Sequence, residues 1–434
     1  MKDIIKRLII DFQERPLPER VPRDIAFPLD SNKIVSFIGV RRAGKTSILL
    51  HSIAQLRQTL PPQQIVYLNF EDDRLDELNI SHLDLILEAY YELYPDQRKE
   101  KTYWFFDEIQ NIQGWEKFIR RIHDTENGQI FITGSSARLL GSELATSLRG
   151  RTIAYEVFPF SFTEYLRYQN IAINVHSSES RSWIKHHFEH YLRHGGFAEC
   201  FGQTDDIERR ILRDYLDLII YRDIIERFGV TNRALLKHLI KYVFANPATL
   251  ISFNKLYNDF RSQGFRLSKD TLIDYFSYLN DAYAVFSIPV YRNSIKEEQR
   301  NPKKVYIIDN GYKRLHHALA LQDLGKLYEN LVFLHLRRQT DEIYYFKQDY
   351  EVDFFCRGML INVSANLDKP ETRHREIRAL EEAMGTLKLD RSYLLTADKE
   401  GNVSTRSGTI EILPVWKWMC EGPEIQPDIS KNIG

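Results

Sequence analysis

The chain has 434 residues, 43% of them hydrophobic and 27% charged, with a formal net charge of -1. That length suggests two to four domains, each able to bury a core, and the near-neutral balance excludes a polyelectrolyte, so any nucleic-acid affinity must come from local patches. Cys200, Cys356 and Cys420 are scattered, odd in number and without metal-ligand spacing, which argues against a disulfide framework and fits a reducing compartment.

The opening MKDIIKRLIIDFQERP has a short apolar run broken by Lys6 and Asp11, and predicts an amphipathic helix rather than a signal peptide. No stretch approaches the roughly 18 apolar residues of a membrane span, so a cytoplasmic protein is expected. Apolar runs of strand length follow at 34–39, 65–70, 103–107 and 130–135, separated by segments of helical spacing such as TSILLHSIAQLRQTL. Strands alternating with helices predict a parallel α/β sheet covered on both faces, continuing to about EVFPFSF at 156–162. From Trp183 to Phe244 the pattern is mostly helical. Helical stretches at 234–245, 251–261 and 269–281, followed by the strand-like AVFSIPVY, suggest a winged helix. Leu272, Tyr275, Phe276 and Leu279 share one face of the third stretch, and Ser268 is its expected N-cap. A plain helical bundle fits the same pattern. Mixed α/β character returns from about 301 with VYIIDN, a helix near 326–338, then EIYYFK, VDFFC, LINVSA, SYLLT and LPVWKWM. The tail after Pro423 has little periodicity and is expected to be poorly ordered.

Gly39-Val-Arg-Arg-Ala-Gly44-Lys45-Thr46 fits G-x-x-x-x-G-K-[ST] at every fixed position, after a strand and before a helix. Glycines let backbone N–H groups turn inward to cradle phosphate oxygens. Lys45 would reach the β- and γ-phosphates and Thr46 would ligate Mg²⁺, while the helix starting near Lys45 adds its positive end. Gly39, Arg42, Ala43, Gly44, Lys45, Thr46 and Ser47 are therefore the expected ATP contacts. The run Tyr103-Trp-Phe-Phe106 ends in Asp107-Glu108, at the strand end where α/β sheets bind ligands. Asp107 would hold the Mg²⁺ shell and Glu108 would polarise the attacking water. Ser135 or Ser136, closing IFITGSS, would sense the γ-phosphate, with a Ser-rich turn as the alternative. Arg151, and Arg149 less well, would stabilise transition-state charge, in cis or from a neighbouring subunit. Asn69, Glu71 and Asp72 follow another strand toward the same crevice, with no role assigned.

Taken in order, GVRRAGKTS, LNFEDDRL, FFDEIQNIQGW, ITGSSARLLGSELATSLRGR and EVFPFSFTEYL resemble a bacterial and archaeal family of AAA+-type ATPases that carry a C-terminal uncharacterised domain. GYKRLHHAL, GKLYENLVFLHL and EVDFF are similar to that second part, so the resemblance covers nearly the whole chain. It implies an ATPase core, then a winged helix, then a region similar to restriction-endonuclease folds. It also implies the roles already given to Lys45, Thr46, Asp107 and Glu108, with Ser135 or Ser136 as sensor and Arg151 as finger. The fold expected is thus α/β, with a P-loop AAA+-like parallel-sheet core at 1–165 and a helical lid at 166–230. A winged-helix-like unit at 231–300 and a nuclease-like α/β module at 301–434 complete it. Homo-oligomers, a hexamer-type ring among them, are expected partners.

The nuclease pattern PD-(D/E)XK needs an acid at a strand start, then an acid and a lysine on the next strand, so that carboxylates hold Mg²⁺ and the lysine positions water. Asp353 would be the first acid and Glu329 a helix acid, but Asn362-Val363-Ser364 stands where Glu-x-Lys is required. Asn is a weak Mg²⁺ ligand and Ser supplies no cation, so a fold that has lost its chemistry is expected. Alternatively, Glu351 and Asp353 are merely outward polar residues of an exposed strand.

DNA is the expected macromolecular partner. The third helix of the winged unit carries Lys269 but also Asp270, Asp274 and Asp281, which phosphates repel. Lys237, Lys241, Arg261 and Arg266 are candidates for a backbone-contacting face, as are Arg120 and Arg121, or Arg373, Arg375 and Arg378. The function expected is Mg²⁺-dependent ATP hydrolysis coupled to conformational change on DNA, branched or structured DNA included. One alternative is a nucleotide-state switch for signalling or defence with a protein partner. Another is a structure-specific nuclease.

Overall fold

A computed structural model describes residues 1–135, 148–292, 294, 297, 301–315 and 324–422. Ser136 and the tail after Pro423 therefore lie outside the described residues. The chain divides into two compact units, 1–158 with 281–283, and 159–280 with 284–434.

In the first unit the N-terminal amphipathic pattern forms the helix Lys2–Glu14, burying Ile5, Ile9 and Phe12. Five strands follow: β1 (Ile34–Ile38), β2 (Ile65–Asn69), β3 (Thr102–Asp107), β4 (Gly128–Gly134) and β5 (Thr152–Glu156). They form one sheet in the order β2-β3-β4-β1-β5, and every pairing is parallel. Every residue of β1 and β3 is buried, as expected of parallel strands covered on both faces. The helices Lys45–Leu56, Asp84–Leu93 and Trp115–Thr125 make the crossovers. This order has a chemical consequence. Strand β4 inserts between β1 and β3, so its C-terminal end lies between the loop after β1 and the acids at the end of β3.

The second unit opens with helices Phe162–Tyr168, Ser178–His194 and Asp205–Leu218. The first is held by a reciprocal capping box between Ser161 and Glu164. The pattern at 231–291 resolves into helix Arg233–Ala245, β6 (Thr249–Ile251), helices Phe253–Ser262 and Lys269–Asp281, and β7 (Val285–Ile288). With β8 (Lys303–Ile307) these strands form an antiparallel sheet in the order β6-β8-β7. Ser268 Oγ accepts from the Thr271 N–H at 3.0 Å, as its N-cap position requires. The stretch expected to be helical from 251 instead begins with a short strand, because β8 offers it a partner that no local pattern could announce.

Downstream come helix Leu324–Arg337, β9 (Tyr344–Lys347), β10 (Glu351–Cys356), β11 (Met359–Val363), helix Pro370–Leu387, β12 (Arg391–Thr396), β13 (Gly401–Ser404), β14 (Thr409–Pro414) and helix Val415–Glu421. The six strands form a mixed sheet, β13-β14-β12-β11-β10-β9. Its core packs Val352, Leu360, Leu394 and Ile412 against Leu380 and Met384 of the long helix. Among the described residues, no helix is long and apolar enough to cross a membrane.

Candidate nucleotide and carboxylate sites

The loop after β1 is shaped by close approach. Gly39 has φ 150°, and a Cβ there would lie 2.1 Å from the Val157 carbonyl oxygen, so no side chain fits. Gly44 has φ 97°, and its Cβ would meet the Arg23 guanidinium at 2.8 Å. Arg42 is also left-handed, at φ 66°, a conformation costly for a non-glycine residue unless the surroundings hold it. From this loop the helix Lys45–Leu56 starts directly after Gly44, and the first-turn N–H groups of a helix have no partner within it.

Lys45 is buried, and its Nζ donates to the carbonyls of Gly39 and Val40, both at 3.1 Å. The same ammonium lies 3.6 Å from Glu108 Oε1. Asp107 is fully buried at the end of β3. It accepts from Thr133 Oγ1 at 2.5 Å and from Tyr67 Oη at 2.8 Å, and it also hydrogen-bonds Thr46. Burial pushes its carboxyl pKa up, against these donors and with the neighbouring Glu108 charge. Glu108 takes a left-handed backbone turn, φ 53°, which directs its side chain back beside Asp107. Its N–H donates to Thr133 Oγ1 at 2.8 Å, and Gln110 Nε2 donates to its carboxylate.

Thr133 thus binds both acids, though the sequence reading singled out the serines two and three positions on. The signal was present: a hydroxyl directly after the apolar run Ile130-Phe131-Ile132, one residue from the strand's C-terminal end. Ser135 is buried and reaches Gln110 Nε2 at 3.5 Å, so it meets Glu108 through that amide. Two N-terminal arginines were also missed. Arg20 Nη1 donates to Ser47 Oγ at 3.0 Å. Arg23 donates to the carbonyls of Ala43 and Phe158, each at 2.7 Å, bracing the loop. Asn69 Oδ1 accepts from the Glu71 N–H at 2.9 Å, and Glu71 pairs with Arg41 at 2.8 Å.

Arg151 is not brought to this cluster. Its carbonyl accepts from Ile34 at the opposite, N-terminal end of β1, and its guanidinium binds Asp124 through Nε and Nη2 at 2.8 and 3.0 Å. A role in cis at the loop is therefore corrected by the sheet geometry: β5 runs parallel to β1, so its first residue and the loop lie a strand length apart. Arg149, at φ 49°, is exposed in the preceding turn.

A group with several phosphate oxygens and a hard divalent ion fits what these residues offer. The glycine cradle exposes N–H donors, Lys45 supplies a buried cation, and Thr46 and Asp107 supply oxygens of the kind Mg²⁺ takes.

In the second unit the geometry overturns part of the reading of 329–364. Glu351 and Asp353 are not outward residues of an exposed strand. Asp353 Oδ1, Glu329 Oε1 and Glu351 Oε1 converge on Lys304 Nζ at 2.7, 2.8 and 3.1 Å. A lysine does enter the carboxylate cluster, then, but from β8 rather than from position 364. Ser364 Oγ turns to the Asn366 carbonyl. Asn362 is structural, accepting from the Asp353 N–H at 2.9 Å and donating to Glu376 at 2.8 Å. Elsewhere, ligand atoms of His190, His194 and Glu208 lie within 4.8 Å of one another. Arg314 Nη1 already donates to Glu208 there at 2.6 Å.

A family model described as an AAA domain matches residues 31–166. A second, a domain of unknown function (DUF8612), matches 185–324. The chain is 34% identical to the uncharacterised protein MJ1544 of Methanocaldococcus jannaschii over 96% of its own length and 95% of that protein. It is 31% identical to an uncharacterised protein of Haemophilus influenzae over 80% of this chain and 84% of that one. Among solved structures it is similar to the Walker-type ATPase PABY2304 of Pyrococcus abyssi, with 15% identity and a TM-score of 0.40, over 73% of this chain and 95% of that one. The protein is a P-loop ATPase of the AAA+ type by class. It belongs to the family that includes MJ1544, and in this chain the AAA domain precedes the domain of unknown function.

Proposed function

We propose that the protein hydrolyses ATP with Mg²⁺ at the loop 39–47. The observation that carries this is the meeting of the buried Lys45 ammonium and the Glu108 carboxylate, 3.6 Å apart, beside Asp107. Lys45, with the loop N–H groups, binds the phosphates and withdraws their charge. Asp107 and Thr46 hold the ion, which when bound neutralises phosphate charge and polarises the transferred group. Glu108 accepts a proton from the attacking water, with Thr133 fixing the backbone that carries it and Gln110 orienting the carboxylate. Ser135 reports the state of this acid through Gln110. Arg151, being remote in its own chain, serves the site of a neighbouring copy in a ring-type oligomer. A malachite-green assay on the purified chain should show Mg²⁺-dependent phosphate release that is absent in EDTA. Nucleotide binding without any turnover would reduce the protein to a switch.

Hydrolysis on this reading drives rearrangement of DNA. The support is the segment 233–307, whose helices and antiparallel strands follow the order helix, strand, helix, helix, strand, strand, an order compatible with the winged helix proposed here. Its exposed Arg233, Lys241, Arg261 and Arg266 offer charge for phosphates, whereas exposed Asp270 and Asp274 disfavour groove insertion of the third helix. Backbone contact is therefore the mode proposed. A panel of single-stranded, duplex, forked and four-way DNAs, read at two salt concentrations, should show steeply salt-dependent binding and stimulated ATPase. Salt-independent results would favour a protein partner. DNA should stay intact in this panel with Mg²⁺ or Mn²⁺, because Asn362 is no acid and the Lys304 ammonium occupies the point on which Glu329, Glu351 and Asp353 converge.

A further inference from the structure

The cluster around Lys304 has the composition of a metal site and the content of an ion pair. Three carboxylates arrive from two elements: Glu329 from a helix, Glu351 and Asp353 from β10. All three place one oxygen within 3.1 Å of a single point. That is the donor set of a hard divalent cation, which takes carboxylate oxygens converging on one centre. The point is held by an ammonium whose side chain is 4% exposed.

Other groups complete the shell. Tyr306 Oη donates to Glu329 Oε1 at 2.8 Å. The Val363 N–H donates to Asp353 Oδ2 at 2.8 Å. Lys347 reaches Glu351 Oε2 from the exposed side at 3.3 Å. Three partly buried carboxylates at such spacing would be destabilising without a counter-ion. One ammonium satisfies three acceptors, because it carries three N–H donors.

We propose that Lys304 is a built-in cation that takes the place of a divalent metal, and that the Glu329, Glu351 and Asp353 cage becomes a Mn²⁺ or Mg²⁺ site once that ammonium is removed. The C-terminal module then needs no metal for its structure. It also has no room for one while β8 delivers its lysine. This inference is independent of the nucleotide reading, because none of its residues belongs to the loop 39–47.

Ferrous-ion affinity cleavage on the full-length chain tests it, since Fe²⁺ bound to carboxylates cuts the nearby main chain with ascorbate and peroxide, and mass spectrometry locates the cuts. The wild-type chain should show no cuts near 304, 329 or 351–353. Lys304→Met should be cut there, with Mn²⁺ suppressing the cuts, and Lys304→Met combined with Asp353→Asn should lose them. Mn²⁺ should also raise the thermal midpoint of Lys304→Met by several degrees and leave the wild type unmoved. If Lys304→Met accumulates only as insoluble chain, its recovery on refolding is compared in Mn²⁺ and in EDTA. Recovery with Mn²⁺ alone supports the cage, and equal or no recovery in both overturns it. Cuts at 351–353 in the wild type, or a soluble Lys304→Met that remains uncut, also overturn it.

Discussion

Lys45 Nζ and Glu108 Oε1 lie 3.6 Å apart, although 63 residues separate them along the chain. A cation that binds phosphate and a carboxylate that accepts a proton must act on opposite sides of the same reacting group, and parallel β1 and β3 bring their C-terminal ends together to allow it.

This pair can be separated by mutation. Lys45→Ala should abolish nucleotide binding, because the phosphates lose their buried cation. Glu108→Gln should bind nucleotide about as well as the parent and hydrolyse it about 10²–10⁴-fold more slowly, the usual worth of a general base. Equilibrium binding of a fluorescent ATP analogue, with single-turnover hydrolysis, reads both. Parental turnover in both variants would place the chemistry elsewhere.

Thr133 carries a different kind of load. Its hydroxyl joins Asp107 Oδ1 to the Glu108 N–H, so Thr133→Val leaves a buried donor and a buried carboxylate each short of a partner. The expected cost is about 1–3 kcal/mol of stability, seen in denaturant unfolding, together with a lower kcat. Ser135→Ala should leave stability nearly unchanged and affect only hydrolysis. Equal effects of the two substitutions on unfolding would contradict the bridging role.

Arg151 is bound by Asp124 far from the loop of its own chain. If it completes a neighbour's site, then mixing Arg151→Ala chains with Lys45→Ala chains should restore part of the hydrolysis that each lacks. The mixed interface contains one intact loop and one intact arginine. Sedimentation run on the same samples must show an oligomer; full activity in a strict monomer rules the idea out.

Glu329 links stability to pH. Burial and the nearby Asp353 charge raise its pKa from the ordinary 4.5 to about 7. The folded chain therefore keeps a proton there that the unfolded chain has already lost. The stability it contributes is fully present below about 4.5 and lost as the pH rises through about 7. Between pH 5 and 7.5 the parent should lose more stability than Glu329→Gln, by up to roughly 3 kcal/mol. Thermal midpoints recorded across that range for both proteins make the comparison, and parallel curves would refute it.

Chain chemistry made some of the protein readable without a structure. The loop 39–46 declares itself because phosphate binding demands glycine, lysine and a hydroxyl residue at set intervals along contiguous backbone. Buried strands such as Tyr103–Phe106 declare themselves because a parallel sheet covered on both faces tolerates little but apolar side chains. The pairing of Asp107 with that loop followed from its strand-end position read together with the loop upstream.

Tertiary structure decided what depends on partners distant in sequence. Thr133 became the bridge because β4 inserts between β1 and β3, an order that no local pattern encodes. Arg151 was separated from the loop by strand direction, which puts it at the start of β5 and so at the opposite end of the sheet from the loop that follows β1. Lys304 entered the carboxylate cage from a strand of another sheet, while a reading confined to spacing looked for a lysine at 364. Local motifs follow from covalent neighbours, but the charges that balance a buried group are supplied by whichever strand the packing brings beside it.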